Sequence, residues 1–141
     1  MRSIELAHRA AALGEVPIGA VVVLNDTIIG EGFNQPIATQ DPTAHAEILA
    51  LRQAGQKIGN YRLLGACLYV TLEPCAMCAA AMIHARISHV IFGAYDPKSV
   101  ANSLLAGDLA KQFNHRVQLE GGLMEVECAT LLKLFFKRKR S

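Results

Sequence analysis

The chain reads as an α/β fold, a mixed sheet with helices on both faces, and three observations carry that reading. A near-continuous β-branched run, Ile18-Gly19-Ala20-Val21-Val22-Val23-Leu24, meets Asn25-Asp26 and then a second strand-like stretch, Thr27 to Phe33. That is the pattern of a hairpin whose first strand is buried on both sides. Beyond it, helical and strand patterns alternate, which implies helices packed on both faces of one sheet. Finally, 141 residues that are 52% hydrophobic suffice for one substantial core. A single domain over residues 1–141 is expected. No apolar run approaches the roughly 18 residues that would span a bilayer. The N-terminal Met1-Arg2-Ser3-Ile4-Glu5 lacks the apolar centre of a signal peptide. A cytoplasmic location with no membrane partner is therefore the expectation.

The elements follow in order. Ile4 to Leu13 has the apolar spacing of an amphipathic helix, stopped by Gly14. After the hairpin, Asn34-Gln35-Pro36 breaks the strand and a loop leads to Asp41. With Asp41 as N-cap and Pro42 at the first helical position, a helix is expected from Pro42 to about Lys57, ended by Gly59-Asn60. Ala66 to Thr71 is the third strand, Cys75 to Arg86 the next helix with Pro74 opening it, and Ser88 to Phe92 the fourth strand. A weak helix around Ser103 to Lys111, a short strand from Arg116 to Leu119 and a helix from Leu123 to about Arg138 complete the chain.

The chemistry concentrates in two stretches, Asp41-Pro42-Thr43-Ala44-His45-Ala46-Glu47 and Thr71-Leu72-Glu73-Pro74-Cys75-Ala76-Met77-Cys78. Cys75 and Cys78, three apart, share a helix face. His45 and Glu47, two apart, point to opposite sides of a helix interior. They converge only if the helix aims its N-terminus at the site. Two helix N-termini facing one point would also stabilise two thiolates. One imidazole and two thiolates make three zinc ligands, the count of a catalytic site with an open fourth position. Singly, each feature is weak. A lone C-x-x-C is equally a redox pair or half of a structural zinc site, and a lone His-Ala-Glu is ordinary core and surface. Together, His-x-Glu followed by Pro-Cys-x-x-Cys is the established signature of zinc nucleobase deaminases. A centre with two thiolates and a neutral imidazole has no net charge and acidifies water weakly. Glu47 then supplies the missing basicity, taking a proton from water and returning it to the ring nitrogen of the base.

Cys67 and Cys128 fall in a strand and a helix and are expected to be small buried apolar residues with reduced thiols. Charge is uneven. Lys133, Lys137, Arg138, Lys139 and Arg140 are five of 14 basic residues, and the rest of the chain has a net charge of −3. Such a cluster beside Phe135-Phe136 suits a phosphate backbone next to a stacking surface. Cations at a helix C-terminus also complement its dipole without any ligand. The apolar content and the run Ala79-Ala80-Ala81-Met82-Ile83 suggest self-association, with core burial as the other reading.

The sequence resembles the bacterial tRNA-specific adenosine deaminases of the cytidine deaminase-like superfamily. The matching words are Gly14 to Val21, Gly32-Phe33-Asn34, Asp41 to Leu51, Tyr69 to Cys78, Ala81 to His84, Phe92 to Lys98 and Asn114 to Val117. The resemblance implies a three-layer α/β/α sandwich around a five-stranded mixed sheet. It implies deamination of the wobble adenosine of a tRNA anticodon to inosine, arginine tRNA being the family's substrate, by a homodimer with both subunits near each site. It also implies one Zn2+ per subunit held by His45, Cys75 and Cys78, with Glu47 shuttling protons. Asn34 would hydrogen-bond the target nucleoside. Asp96, Lys98 and Asn114 would contact flanking nucleotides of the anticodon stem-loop, and Phe136 and Arg140 would support that loop. Where the family often has Gly-Ala-Ala-Gly-Ser, this chain has Ser99-Val100-Ala101-Asn102-Ser103, one residue shorter and without glycine. Deamination of a free base or nucleoside, such as guanine or cytidine, uses the same metal chemistry but gives the basic tail no role. The third reading is a structural zinc or redox module, and a structural zinc site would show a fourth protein ligand and would not require Glu47.

Overall fold

In the computed structural model, residues 2–140 are described, and five strands form one sheet in the order β2-β1-β3-β4-β5. Strand β1 (Gly19–Leu24) is antiparallel to both β2 (Thr27–Phe33) and β3 (Cys67–Leu72). Strands β3, β4 (His89–Ala94) and β5 (Gln118–Glu120) run parallel. The sheet is thus mixed, as the hairpin followed by crossover helices requires. The hairpin turns on Asn25 and Asp26, both at positive φ (50° and 61°), the backbone of the tight turn that suits a twisted hairpin.

Helices cover both faces. On one face lie α1 (Arg2–Ala12) and α6 (Glu125–Arg140), and on the other α3 (Ala46–Ile58), α4 (Ala76–His84) and α5 (Ala101–Leu105). Glycines set the close approach. A side chain at Gly19 would run into α1 at Leu6 Cβ, 2.8 Å away, and one at Gly30 or Gly32 into the backbone of α3, whose facing residues Ala46, Ala50 and Ala54 are fully buried. The core between the sheet and α3 and α4 is built from Val22, Leu68, Val70, Met82, Ile83 and Val90.

Several boundaries differ from the sequence reading, each for a local reason. The expected helix from Pro42 begins only at Ala46, and His45, not Asp41, is its N-cap. Asp41 instead folds a turn, its Oδ1 accepting from the Thr43 N–H (2.8 Å) and hydroxyl (2.7 Å). Such an Asx turn competes with the helix for the same backbone. The stretch read as loop contains a short helix α2 (Pro36–Thr39). Pro74 does not open α4 but precedes its N-cap, Cys75. The weak helix near 103–111 splits into α5 and a 3-10 turn, Asp108–Gln112, on either side of Gly107. Cys128 is buried as expected, but Cys67 is only half-buried, and both thiols are free. The last helix ends at Arg140 among the described residues.

Candidate metal centre and active site

The two helix N-termini meet beyond the carboxyl end of β3. His45 is the N-cap of α3 and Glu47 lies in its first turn; Cys75 is the N-cap of α4 and Cys78 sits one turn on. At an N-cap the backbone is extended (ψ 153° at His45, 174° at Cys75). The side chain therefore leaves along the helix end rather than its flank. That resolves the opposed directions expected of His45 and Glu47 within a regular helix.

His45 Nδ1 lies 3.6 Å from Cys75 Sγ and 3.5 Å from Cys78 Sγ. One nitrogen cannot share one proton well with two sulfurs at once, but three such atoms can surround a cation. Tetrahedral zinc with bonds of about 2.3 Å to sulfur and about 2.0–2.1 Å to nitrogen separates S from N by about 3.6 Å. The geometry fits zinc. Among the described residues these three form the one His/Cys/Asp/Glu group able to hold a metal ion.

The three groups shift one another's protonation by mutual contact. The Cys75 thiol is lowered to about 4, chiefly by hydrogen bonding with Cys78 and then with His45. Cys78 is pushed upward, first by its hydrogen bond with Cys75 and then by burial. His45 is raised by its hydrogen bond with Cys75. Cysteine and histidine bind a metal in their deprotonated forms, so a metal ion competes with protons at Cys75, Cys78 and His45. Glu47, 4% exposed, is raised to about 7, with burial the largest cause. A carboxyl in that range can both accept and return a proton near neutrality.

Asn34 is buried beside this cluster, and its Oδ1 accepts from Ala46 N–H at 2.8 Å, the first amide of α3. It thus supplies a helix-end bond that His45 does not make. Asp96 and Lys98 stand on the loop after β4, which is tied to the residues just before Cys75. The Asp96 N–H donates to Glu73 Oε1 (3.0 Å) and Ser99 Oγ donates to the Pro74 carbonyl (2.6 Å). The sequence reading missed the tethering roles of Glu73 and Ser99; a glutamate between apolar Leu72 and Pro74 was the available signal. Asn114 is exposed after the 3-10 turn. Phe136, 44% exposed, and Arg140 lie on the last turns of α6, in the layer on the other side of the sheet. The fold does not gather them with the metal cluster.

Two N-cap ligands, a second thiol one turn on and a buried carboxylate define a site of the cytidine deaminase-like class. The comparisons agree. Residues 1–140 match the family model of MafB19-like deaminases. A tRNA-specific adenosine deaminase of Haemophilus influenzae is 46% identical over 98% of this chain and 81% of its own length. That of Bacillus subtilis is 44% identical, covering 98% and 86%. A solved structure from work on A-to-I editing by tRNA:A34 deaminases at the wobble position superposes with a TM-score of 0.85 at 43% identity, covering 92% of this chain and 95% of that one. The chain belongs to the tRNA-specific adenosine deaminase family.

Proposed function

We propose that this chain is a single zinc-dependent domain that hydrolyses the C–N bond of adenosine at the wobble position of a tRNA anticodon, giving inosine and ammonia. The observation that carries the proposal is the convergence of His45, Cys75 and Cys78 beside buried Glu47. The relatives named as tRNA-specific adenosine deaminases support a tRNA wobble adenosine as the substrate; the resemblance drawn from the sequence points to an arginine tRNA.

His45 Nδ1, Cys75 Sγ and Cys78 Sγ would hold one zinc per subunit. When bound, zinc acts as a Lewis acid that makes a water easier to deprotonate. Glu47 would take a proton from the attacking water and deliver it to the purine ring nitrogen as oxygen adds to C6. It then assists proton transfer to the departing amine. Its burial keeps these transfers out of bulk water. Because Asn34 Oδ1 is committed to Ala46, its amide nitrogen is the group left to donate to the target nucleoside. Asp96, Lys98 and Asn114 contact the flanking nucleotides, with Phe136, Arg140 and the adjoining cations supporting the loop. An anticodon loop offers an already unstacked base, so little energy is needed to bring adenine into the pocket.

The active form is a homodimer in the cytoplasm. The exposed groove of Ile48, Leu51, Tyr61, Ala81 and His84 between α3 and α4 supports that assembly. Most of the alanine-rich run is core: Ala79, Met82 and Ile83 are buried within the chain, leaving Ala80 and Ala81 nearer the surface.

The test is turnover of an anticodon stem-loop against free adenosine, guanine and cytidine, with inosine mapped in the RNA. Faster turnover of any small molecule rejects the tRNA reading and leaves zinc-dependent deamination standing. Glu47→Ala should keep zinc and fold yet lose several orders of magnitude in rate. Retained turnover would assign the proton transfers to another group.

A further inference from the structure

The most completely buried polar side chain among the described residues is Glu15, at 2% exposure against 4% for Glu47. The mechanism does not use it. Among the described ion pairs none neutralises it. Its carboxylate instead accepts two backbone amides far along the chain, Ile37 N–H (3.2 Å) and Ala38 N–H (2.7 Å), at the start of α2. An ionised carboxylate is costly to bury, and charge-assisted bonds to both oxygens are the arrangement that tolerates it.

The segment it holds connects two residues of the site, Asn34 and His45. Loop 35–44 begins after Asn34 and ends before His45, and Gln35 N–H donates to the Ala44 carbonyl at 3.0 Å across its base. Asp41 N–H donates to the Pro36 carbonyl at 3.0 Å higher up. The side chains from Gln35 to Gln40 are uncharged, and Ile37 to Gln40 are exposed. Little apolar packing is therefore available to fix the top of this loop, and Glu15 grips it from the connection between α1 and β1.

The structure assigns Glu15 as a positioning residue for the reaction proposed above, on which the assignment rests. By clamping α2 it sets loop 35–44, and through that loop the placement of Asn34 and the mouth of the nucleoside pocket. It touches neither substrate nor metal.

Glu15→Gln is the discriminating variant, because it keeps the size of the side chain but turns an NH2 toward one of the two amides. At equal zinc content, KM for the stem-loop should rise about tenfold or more, with kcat changed by less than about threefold. Amide hydrogen exchange at Ile37 and Ala38 should accelerate at least about tenfold, while that of β1 and β3 stays put. Glu15→Asp, which keeps the charge but reaches less far, should fall between. It serves as the test variant by the same criteria if the glutamine chain does not fold. Unchanged exchange in loop 35–44 overturns the clamp. Faster exchange with an unchanged KM leaves Glu15 a purely structural residue and overturns the positioning role, as does a joint loss of zinc and kcat at constant KM. A wild-type enzyme that leaves the stem-loop unreacted would overturn the proposed function itself, and this role with it.

Discussion

Replacing Gly32 by alanine should disable the metal centre from a position that touches none of its ligands. The added carbon would collide with the Ala46 carbonyl oxygen and lie 2.8 Å from Ala50 N and 2.9 Å from Leu49 Cβ. Comfortable contacts begin at about 3.5 Å. The first two obstacles are backbone and cannot rotate away. Helix α3 must therefore withdraw by about 1 Å at its first turns. Overpacking of this kind costs about 1–3 kcal/mol, and a helix that moves as a body belongs at the upper end. For a chain of this length that is about 10 °C in Tm. The displaced end carries His45 and Glu47, and misplacement by about 1 Å can cost about 100-fold in rate. Calorimetric melting, zinc stoichiometry and turnover well below Tm measure the three effects. Gly14→Ala is the control. Its φ of +78° makes alanine strained, but nothing lies within 4 Å of the new carbon, so it should cost about 1–2 kcal/mol and leave zinc and turnover intact. Wild-type zinc content and turnover in Gly32→Ala, or equal functional loss in both variants, would refute this account of how α3 is placed.

Other expectations concern single groups. Cys75→Ala and His45→Ala should each lose most of the zinc, which metal analysis after gel filtration would reveal; full occupancy in both rejects the ligand set. Changing Lys137, Lys139 and Arg140 to glutamine should weaken RNA binding and flatten the slope of log K against log salt by about 2, at roughly 0.7 per lost phosphate contact on single strands. The zinc site should be untouched, and an unaltered slope would leave these cations a dipole-complementing helix end. Phe136→Ala should cost about 1–3 kcal/mol of RNA binding if a base stacks on the ring. Because the ring is 44% exposed, Tm should fall less than for a buried phenylalanine, and a melting loss without a binding loss would make it a packing residue.

The strands were legible because their signals are local. The β-branched run and its Asn25-Asp26 turn specify the hairpin by themselves, and β2 begins and ends where the alternation and Asn34 place it. The metal ligands were legible as residue types at a spacing. Their convergence was not, since it depends on His45 and Cys75 being caps rather than helical residues. Asp41-Pro42 gave a good helix-start pattern that lost to an Asx turn four residues before the true start. The partnerships of Glu15 with Ile37 and Ala38, and of Asn34 with Ala46, connect residues 12 to 23 apart. A side chain bonded to distant backbone leaves no periodicity to detect. Its trace is only a polar residue set among apolar ones.

The N-cap of α3 is a place where Ser, Thr, Asp or Asn would steady the helix by about 0.5–2 kcal/mol. Here it is occupied by a histidine whose side chain makes no capping bond. Stability and catalysis therefore compete for one position. A library selected only for yield or heat resistance should drift toward His45→Asp or His45→Ser, chains that outlast the parent in the metal-free state and turn over nothing. Any effort to harden this protein by directed evolution has to select on product formation at every round, or it will enrich well-folded, inactive scaffolds.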